Sequence, residues 1–196
     1  HVKRMLAYSS VAQIGYIFMG IGLGSEAGLV AASFHILVHA CCKPLLFSCA
    51  GRLSAVSGHH KNLRNLRGSA WRDPVAGIGF TVGALSMIGI PLFGGFVSKL
   101  YFASASLSSD KAALSLVVIA VSTALNALYY VPAVLAVCIR PAAEEEAAFA
   151  AEAGPEARRP DPAFVGAAAA LILSIFVLGI FYHPITDVIR AGLRLL

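Results

Sequence analysis

Charge is scarce in this chain. Asp, Glu, Lys and Arg together supply 13% of its 196 residues, about half the share of an ordinary soluble domain. Acid is scarcer still where it would matter most: no Asp or Glu falls inside any of the long apolar stretches. That leaves no paired carboxylates for acid–base work there, and no oxygen-rich set of the kind a hard cation requires. Cys41, Cys42, Cys49 and Cys138 lie in or beside apolar stretches without CxxC spacing, so they read as free, buried thiols and not as a disulfide framework. Patterns for flavin, haem or iron–sulfur ligation are missing as well. Gly20-x-Gly22-x-Gly24 lies in an apolar run with no strand before it, so it is no dinucleotide fingerprint.

What is abundant is apolar sequence. Hydrophobic residues make up 58% of the chain, and the mean hydropathy is +0.79. A helix needs about 20 apolar residues to cross a hydrocarbon core of roughly 30 Å. Five stretches qualify, at about 5–23, 28–53, 75–107, 113–139 and 164–182. The fold class expected is all-α: a polytopic transmembrane bundle of about five spans, the third discontinuous. Residue 1 is His, with Lys3 and Arg4 just ahead of the first apolar run and no signal-peptide layout. The chain therefore reads as the C-terminal part of a longer protein.

Five alternating crossings sort the loops onto two faces. One collects Lys3, Arg4, Arg52, Lys61, Arg64, Arg67, Arg72, Arg140, Arg158 and Arg159; the other only Lys111, Arg190 and Arg194. The positive-inside rule puts the first face in the cytoplasm of a cell membrane. That topology accounts for the net charge of +5 without a nucleic-acid partner. Glu144–Glu146, in the loop 140–162, is a solvated charge run, and His59 and His60 read as surface residues.

The two remaining basic residues, Lys43 and Lys99, lie inside apolar stretches. A Lys at a helix centre costs roughly 2.5–3.5 kcal/mol on insertion scales, so it is a functional candidate by default. His35-x-x-x-His39-x-x-x-Lys43 repeats every four residues, which puts the three along one helix face, each step about 6 Å of rise. That ladder has the length and chemistry to relay protons through intervening water, and histidine titrates near neutrality. Pro44 follows directly and tends to free a carbonyl near residue 40. Zinc is the alternative for the His pair, with Cys42 close by. No ligand set at a recognised spacing completes such a site, and neither a metal nor a cofactor is expected.

The stretch 75–107 is too long for one straight crossing. Gly89, Pro91, Gly94 and Gly95 fall within seven residues and should split it into two half-helices. Unwound backbone at membrane depth is tolerated where it is buried or lines a cavity, and it marks ion sites in transporters. Lys99 lies about ten residues inside the exit near Ser109, or about 15 Å deep, near the midplane. Tyr8, Ser9, Ser10 and Gln13, and later Asn126, Tyr129 and Tyr130, add polar groups; interhelical hydrogen bonds account for most of them, with pathway lining by Ser10, Gln13 or Tyr130 the alternative. Gly15, Gly20 and Gly24 read as packing positions. The last span, with Gly166 and Gly179 its notable residues, reads as a lipid-facing closure of the bundle.

Three motifs in order carry a resemblance. Lys3-Arg-Met-Leu-Ala-Tyr-Ser-Ser-Val-Ala-Gln-Ile-Gly-Tyr16, Phe34-His-Ile-Leu-Val-His-Ala-Cys-Cys-Lys-Pro-Leu-Leu-Phe47 and Leu85-Ser-Met-Ile-Gly-Ile-Pro-Leu-Phe-Gly-Gly-Phe-Val-Ser-Lys99 are similar to the antiporter-type membrane subunits of respiratory complex I. They resemble equally the large subunits of Mrp-type cation/proton antiporters and of membrane-bound hydrogenases. The resemblance spans roughly residues 1–130 and implies the end of a second inverted five-helix repeat plus terminal helices. By it, Lys99 is the broken-helix Lys at an aqueous half-channel, and His35, His39 and Lys43 belong to a central hydrophilic axis. Many members carry Ala where this chain has Pro44, and some carry Glu in place of Lys99.

The resemblance implies a division into residues 1–139 of the translocating domain, a cytoplasmic loop 140–162, and a terminal helix and tail 163–196. It implies a proton-translocating, non-redox subunit of an NADH:quinone oxidoreductase-like complex, surrounded by other membrane subunits and lipid, with electrons passing elsewhere. Protons are the expected cargo. A Na⁺ or K⁺/proton antiporter subunit is the alternative, and a structural scaffold a third.

Overall fold

A computed structural model describes residues 1–153 and 161–195. Among the described residues the chain is built from α-helices and one short 3₁₀ turn, with no strand. Arg158 and Arg159, assigned above to the basic face, lie outside the described residues.

The first two helices form an antiparallel hairpin, α1 (Val2–Gly22) and α2 (Glu26–Ala55). Gly24 makes the turn between them in the left-handed region, φ +61°. Ser25 caps α2, its Oγ accepting from Gly28 N at 3.1 Å. A Cβ on Gly20 would stand 2.7 Å from the carbonyl oxygen of Gly28, so two backbones meet here. Of the three glycines expected to serve packing, only Gly20 does; a Cβ on Gly15 would meet nothing within 4 Å, and Gly24 is a turn residue. Helix α2 runs 30 residues without interruption through Pro44, about 45 Å.

A 3₁₀ turn (Leu63–Leu66) and α3 (Ser69–Arg72) lead into the divided span, α4 (Pro74–Ile88) and α5 (Gly94–Leu107). Asp73 starts α4, accepting from Ala76 N at 3.0 Å while its other oxygen takes Arg52 at 2.9 Å. Pro74 follows at the first turn, where a missing N–H costs nothing. Gly89 ends α4 at φ +96°, and the chain stays irregular to Phe93. The expected discontinuity is present, and it includes Leu92 at φ +79°, uncommon for a non-glycine residue.

Next come α6 (Ala112–Cys138), α7 (Ala143–Ala153), α8 (Pro162–Ile180) and α9 (Tyr182–Leu193). Four helices, α1, α2, α6 and α8, are each long and apolar enough to cross a membrane. Helix α2 is the hub, with α1, α4, α5, α8 and α9 all packed on it. The core it shares with them includes Phe34, Leu45, Leu46, Phe80 and Ile175, all without exposed surface.

The end of the chain differs from expectation. The sequence predicts a tail after residue 182, but the chain there forms α9, joined to α8 at Phe181. Arg52 near the end of α2 lies over the Phe164 ring at 5.8 Å, and Arg194 reaches Glu26 at the start of α2. The α8–α9 pair therefore runs antiparallel to α2 along its length as a second divided element. Helix α8 is also more than a lipid-facing closure: Ala168, Ile175 and Leu178 are buried in the core. The sequence signal for α9 is weak because Pro184, Asp187 and Arg190 break its apolar run.

Contacts group the loops at two ends. At one, Val2 N donates to Lys61 O at 2.8 Å and Gly68 N to Ala136 O at 3.2 Å. There Arg72 also pairs with Glu146 at 2.7 Å, and His60 with Glu152 at 3.1 Å. So His60 is a surface residue tied to Glu152 of α7, and His59 is exposed. Half-burial lowers the Arg72 guanidinium pKa from its ordinary value, and the Glu146 carboxylate opposes that shift. All four cysteines are free, with Cys42 and Cys49 buried and Cys41 and Cys138 half-buried.

Candidate functional site

The break in the divided span generates its own ligand. Ending α4 at Gly89 leaves its last carbonyls without helical donors. Lys99, one and a half turns into α5, turns back and donates from Nζ to Ile88 O at 2.6 Å and Met87 O at 3.3 Å. A cation at a helix C-terminus is also favoured by the helix dipole, by up to about 2 kcal/mol when partly buried. The Tyr16 ring adds a face 5.7 Å from the ammonium. Lys99 is 7% exposed. Gly89 serves twice here, since a Cβ would also lie 2.9 Å from Lys99 Cδ.

The two half-helices are held together by small residues and one hydroxyl. Ser86 Oγ, on the last turn of α4, accepts from Gly95 N at 3.2 Å and from Cys42 Sγ at 3.3 Å. A side chain on Gly95 would overlap the Ser86 carbonyl, and one on Gly94 would press on Leu178 and Val38. Pro91 is exposed at the outside of the break.

Lys43 sits in a second nest, between α1 and α6. Its Nζ donates to Leu6 O at 3.0 Å, to Ser9 Oγ, and to Tyr130 OH at 3.4 Å. Ser9 Oγ and Tyr130 OH are themselves 2.9 Å apart. Neither Lys43 nor Lys99 has a carboxylate partner among the described residues. Both buried ammoniums rest on carbonyls, hydroxyls and rings alone.

The histidines lie between. His35 Nδ1 and Ser98 Oγ are 2.9 Å apart, and Ser98 is the neighbour of Lys99. The His35 ring packs between Tyr16 and Phe102, at 5.6 and 5.5 Å. His35 is buried and His39 half-buried, and Nε2 of each has no partner among the described residues. Helix α1 faces this ladder with a stripe of its own, because the hairpin is antiparallel: Ser9 meets Lys43, and Tyr16 meets His35 and Lys99. Gln13, between those two, is fully buried and donates to Asn126 Oδ1 at 3.5 Å. Tyr129 OH donates to the same oxygen. Gln13 Oε1 and Asn126 Nδ2 are left without partners among the described residues.

All four candidate residues thus lie along one α1–α2–α5–α6 interior, in two nests with His39 between them along α2. Ser98 was not singled out beforehand. Its signal was its place beside Lys99, but no spacing rule connects residue 98 with residue 35. Tyr8, grouped with the polar face of α1, instead points outward at 71% exposed.

Residues 1–125 match the family described as NADH:quinone oxidoreductase/Mrp antiporter, TM. The chain belongs to this family. It is 32% identical over 196 residues to NADH-quinone oxidoreductase subunit N of Geobacter metallireducens, covering 99% of this chain and 39% of that protein. It is 36% identical over 192 residues to subunit N of Cereibacter sphaeroides, again covering 39% of the relative. Among solved structures, the Mrp complex from Dietzia sp. DQ12-45-1b matches with a TM-score of 0.76 and 26% identity. That match covers 93% of this chain and 40% of the other. The chain spans about two fifths of the length of these relatives. It is a multi-pass, membrane-embedded member of the family.

Proposed function

We propose that this chain is part of a proton-translocating subunit of a complex I-like NADH:quinone oxidoreductase. In this reading Lys99, His35, His39 and Lys43 pass protons along the interior. The observation that carries it is the Lys99 clamp on Ile88 O and Met87 O. An ammonium held by neutral acceptors, with no counter-charge, can release its proton without leaving an orphaned carboxylate behind. The unpartnered Nε2 atoms of His35 and His39, with Gln13 Oε1 and Asn126 Nδ2, supply polar positions at which water completes a relay between the two nests.

By the positive-inside rule, the end carrying Lys61, Arg64, Arg67, Arg72 and Arg140 faces the cytoplasm, and Lys99 lies near mid-membrane. Other membrane subunits supply the remaining charges. The test is Lys99→Ala in the full-length subunit within its complex, reconstituted in proteoliposomes. Electron transfer and assembly should persist while substrate-driven acidification falls to background; undiminished proton transport would refute the role.

The likeness to a solved Mrp complex supports a second reading, a Na⁺ or K⁺/proton antiporter subunit. Radioactive Na⁺ uptake coupled to proton release separates the two. A hard cation needs oxygen ligands, and the described interior offers carbonyls and hydroxyls but no carboxylate.

A further inference from the structure

A groove of about 330 Å³ lies at the basic end of the bundle, between the outer face of α4 and the end of α6. Its walls include Trp71, Pro74, Gly77, Ile78, Thr81 and Cys138. That volume is at the lower end of the ~300–1,000 Å³ range of ligand pockets. Ile78 in its wall is 58% exposed, so the groove opens sideways along two helices of a membrane-embedded chain.

The rim is of a different character. Trp71 is the single tryptophan of the chain and is 57% exposed. Its Nε1 donates to Cys138 O at 2.7 Å, one of the last carbonyls of α6, which fixes the indole upright beside the groove. The Arg140 guanidinium stacks 4.0 Å above that ring. Arg140 is exposed and has no acidic partner among the described residues.

An apolar slot open to the hydrocarbon, closed at its mouth by an aromatic ring and uncompensated guanidinium charge, complements an amphiphile with an anionic head. Trp and Arg at this level are the anchors a bilayer boundary favours. We propose that the groove binds an anionic phospholipid, with one acyl chain against Ile78 and Gly77 and the phosphate at Arg140. A zwitterionic lipid satisfies the slot but gains less from the rim. This inference is independent of the proton-relay reading.

The test uses the full-length protein in its complex, in nanodiscs containing phosphatidylglycerol with a photoreactive diazirine in the acyl chain. A parallel arm carries phosphatidylcholine with the same acyl probe. Mass spectrometry should find peptides covering residues 70–82 labelled about fivefold more by the phosphatidylglycerol probe, the preference one basic side chain near an anionic surface supplies. Arg140→Gln, at an exposed position, should reduce that labelling to the phosphatidylcholine level. Ile78→Trp, which fills the groove, should reduce labelling by both probes. Equal labelling of the wild-type groove by the two lipids, or an unchanged preference in Arg140→Gln, would leave only a general lipid annulus and overturn the proposal. Absence of label from these peptides would overturn it too, because the groove would then be covered by another part of the assembly.

Discussion

Gly179 and Leu92 touch backbone to backbone: a side chain on Gly179 would begin inside the Leu92 carbonyl oxygen. The contact joins two interruptions, the break after α4 and the end of α8, and Gly94 strengthens it by packing against Leu178. Irregular backbone is costly inside an apolar core, and here the backbone of one interruption rests against the last turn before the other. The divided span is thereby held by α8 as well as by α2.

Replacing Gly179 should therefore separate the two breaks. Gly179→Val is expected to destabilise the subunit by about 1–3 kcal/mol, the usual cost of forced overpacking. Gly166→Val on the same helix, where a Cβ meets nothing within 4 Å, is the control. Thermal unfolding in detergent, followed by exposure of the buried Cys42 and Cys49 thiols to a reactive dye, reads the difference. Equal midpoints for the two variants would show that the contact contributes nothing.

Gly89→Ala should impair transport more than it impairs folding. A Cβ there adds left-handed strain of roughly 1–2 kcal/mol and presses on the Lys99 stem at 2.9 Å. Gly24→Ala carries similar strain at φ +61° but meets no neighbour. Both variants should lose comparable stability. Only the first should lower proton transport in proteoliposomes, because only it displaces the ammonium from Ile88 O.

The Lys43 nest should behave as a coupled unit. Ser9→Ala and Tyr130→Phe each remove a hydroxyl that Lys43 reaches, and each also removes the other's partner. Leaving a buried donor unsatisfied costs about 1–3 kcal/mol. The double variant should lose less than the sum of the singles, with a coupling of about 0.5 kcal/mol or more in a double-mutant cycle. Strict additivity would place Lys43 outside that cluster.

Much of this was readable from residue spacing. The His35, His39, Lys43 ladder needs only the helical period, and Gly89, Pro91, Gly94 and Gly95 cannot all continue a helix. What closes the site was not readable, because it depends on which helix faces which. Residue 98 meets residue 35 only once α5 lies across α2. Ser9 and Tyr130, 121 residues apart, meet Lys43 only when α6 returns beside α1. Helix α9 was missed because its one buried polar residue, Thr186, and its exposed charges Asp187 and Arg190 dilute the apolar signal. Its packing against Tyr101 of α5, not its composition, makes it part of the bundle.

Gln13 offers the sharpest separation of relay from scaffold. It is fully buried, its amide reaches Asn126, and its Oε1 has no protein partner. If its role were only to join α1 to α6, Gln13→Leu would cost the long hydrogen bond, worth about 1 kcal/mol net. That loss is largely offset because the replacement no longer buries an unpaired oxygen. Stability should then change little. If Gln13 holds water between the Lys43 nest and the Lys99 nest, the same variant should cut proton transport severely while the complex still assembles and reduces quinone. Gln13→His restores a polar, titratable group at that level and should recover much of the transport. Normal transport by Gln13→Leu would mean that protons do not cross between the nests on the α1 side.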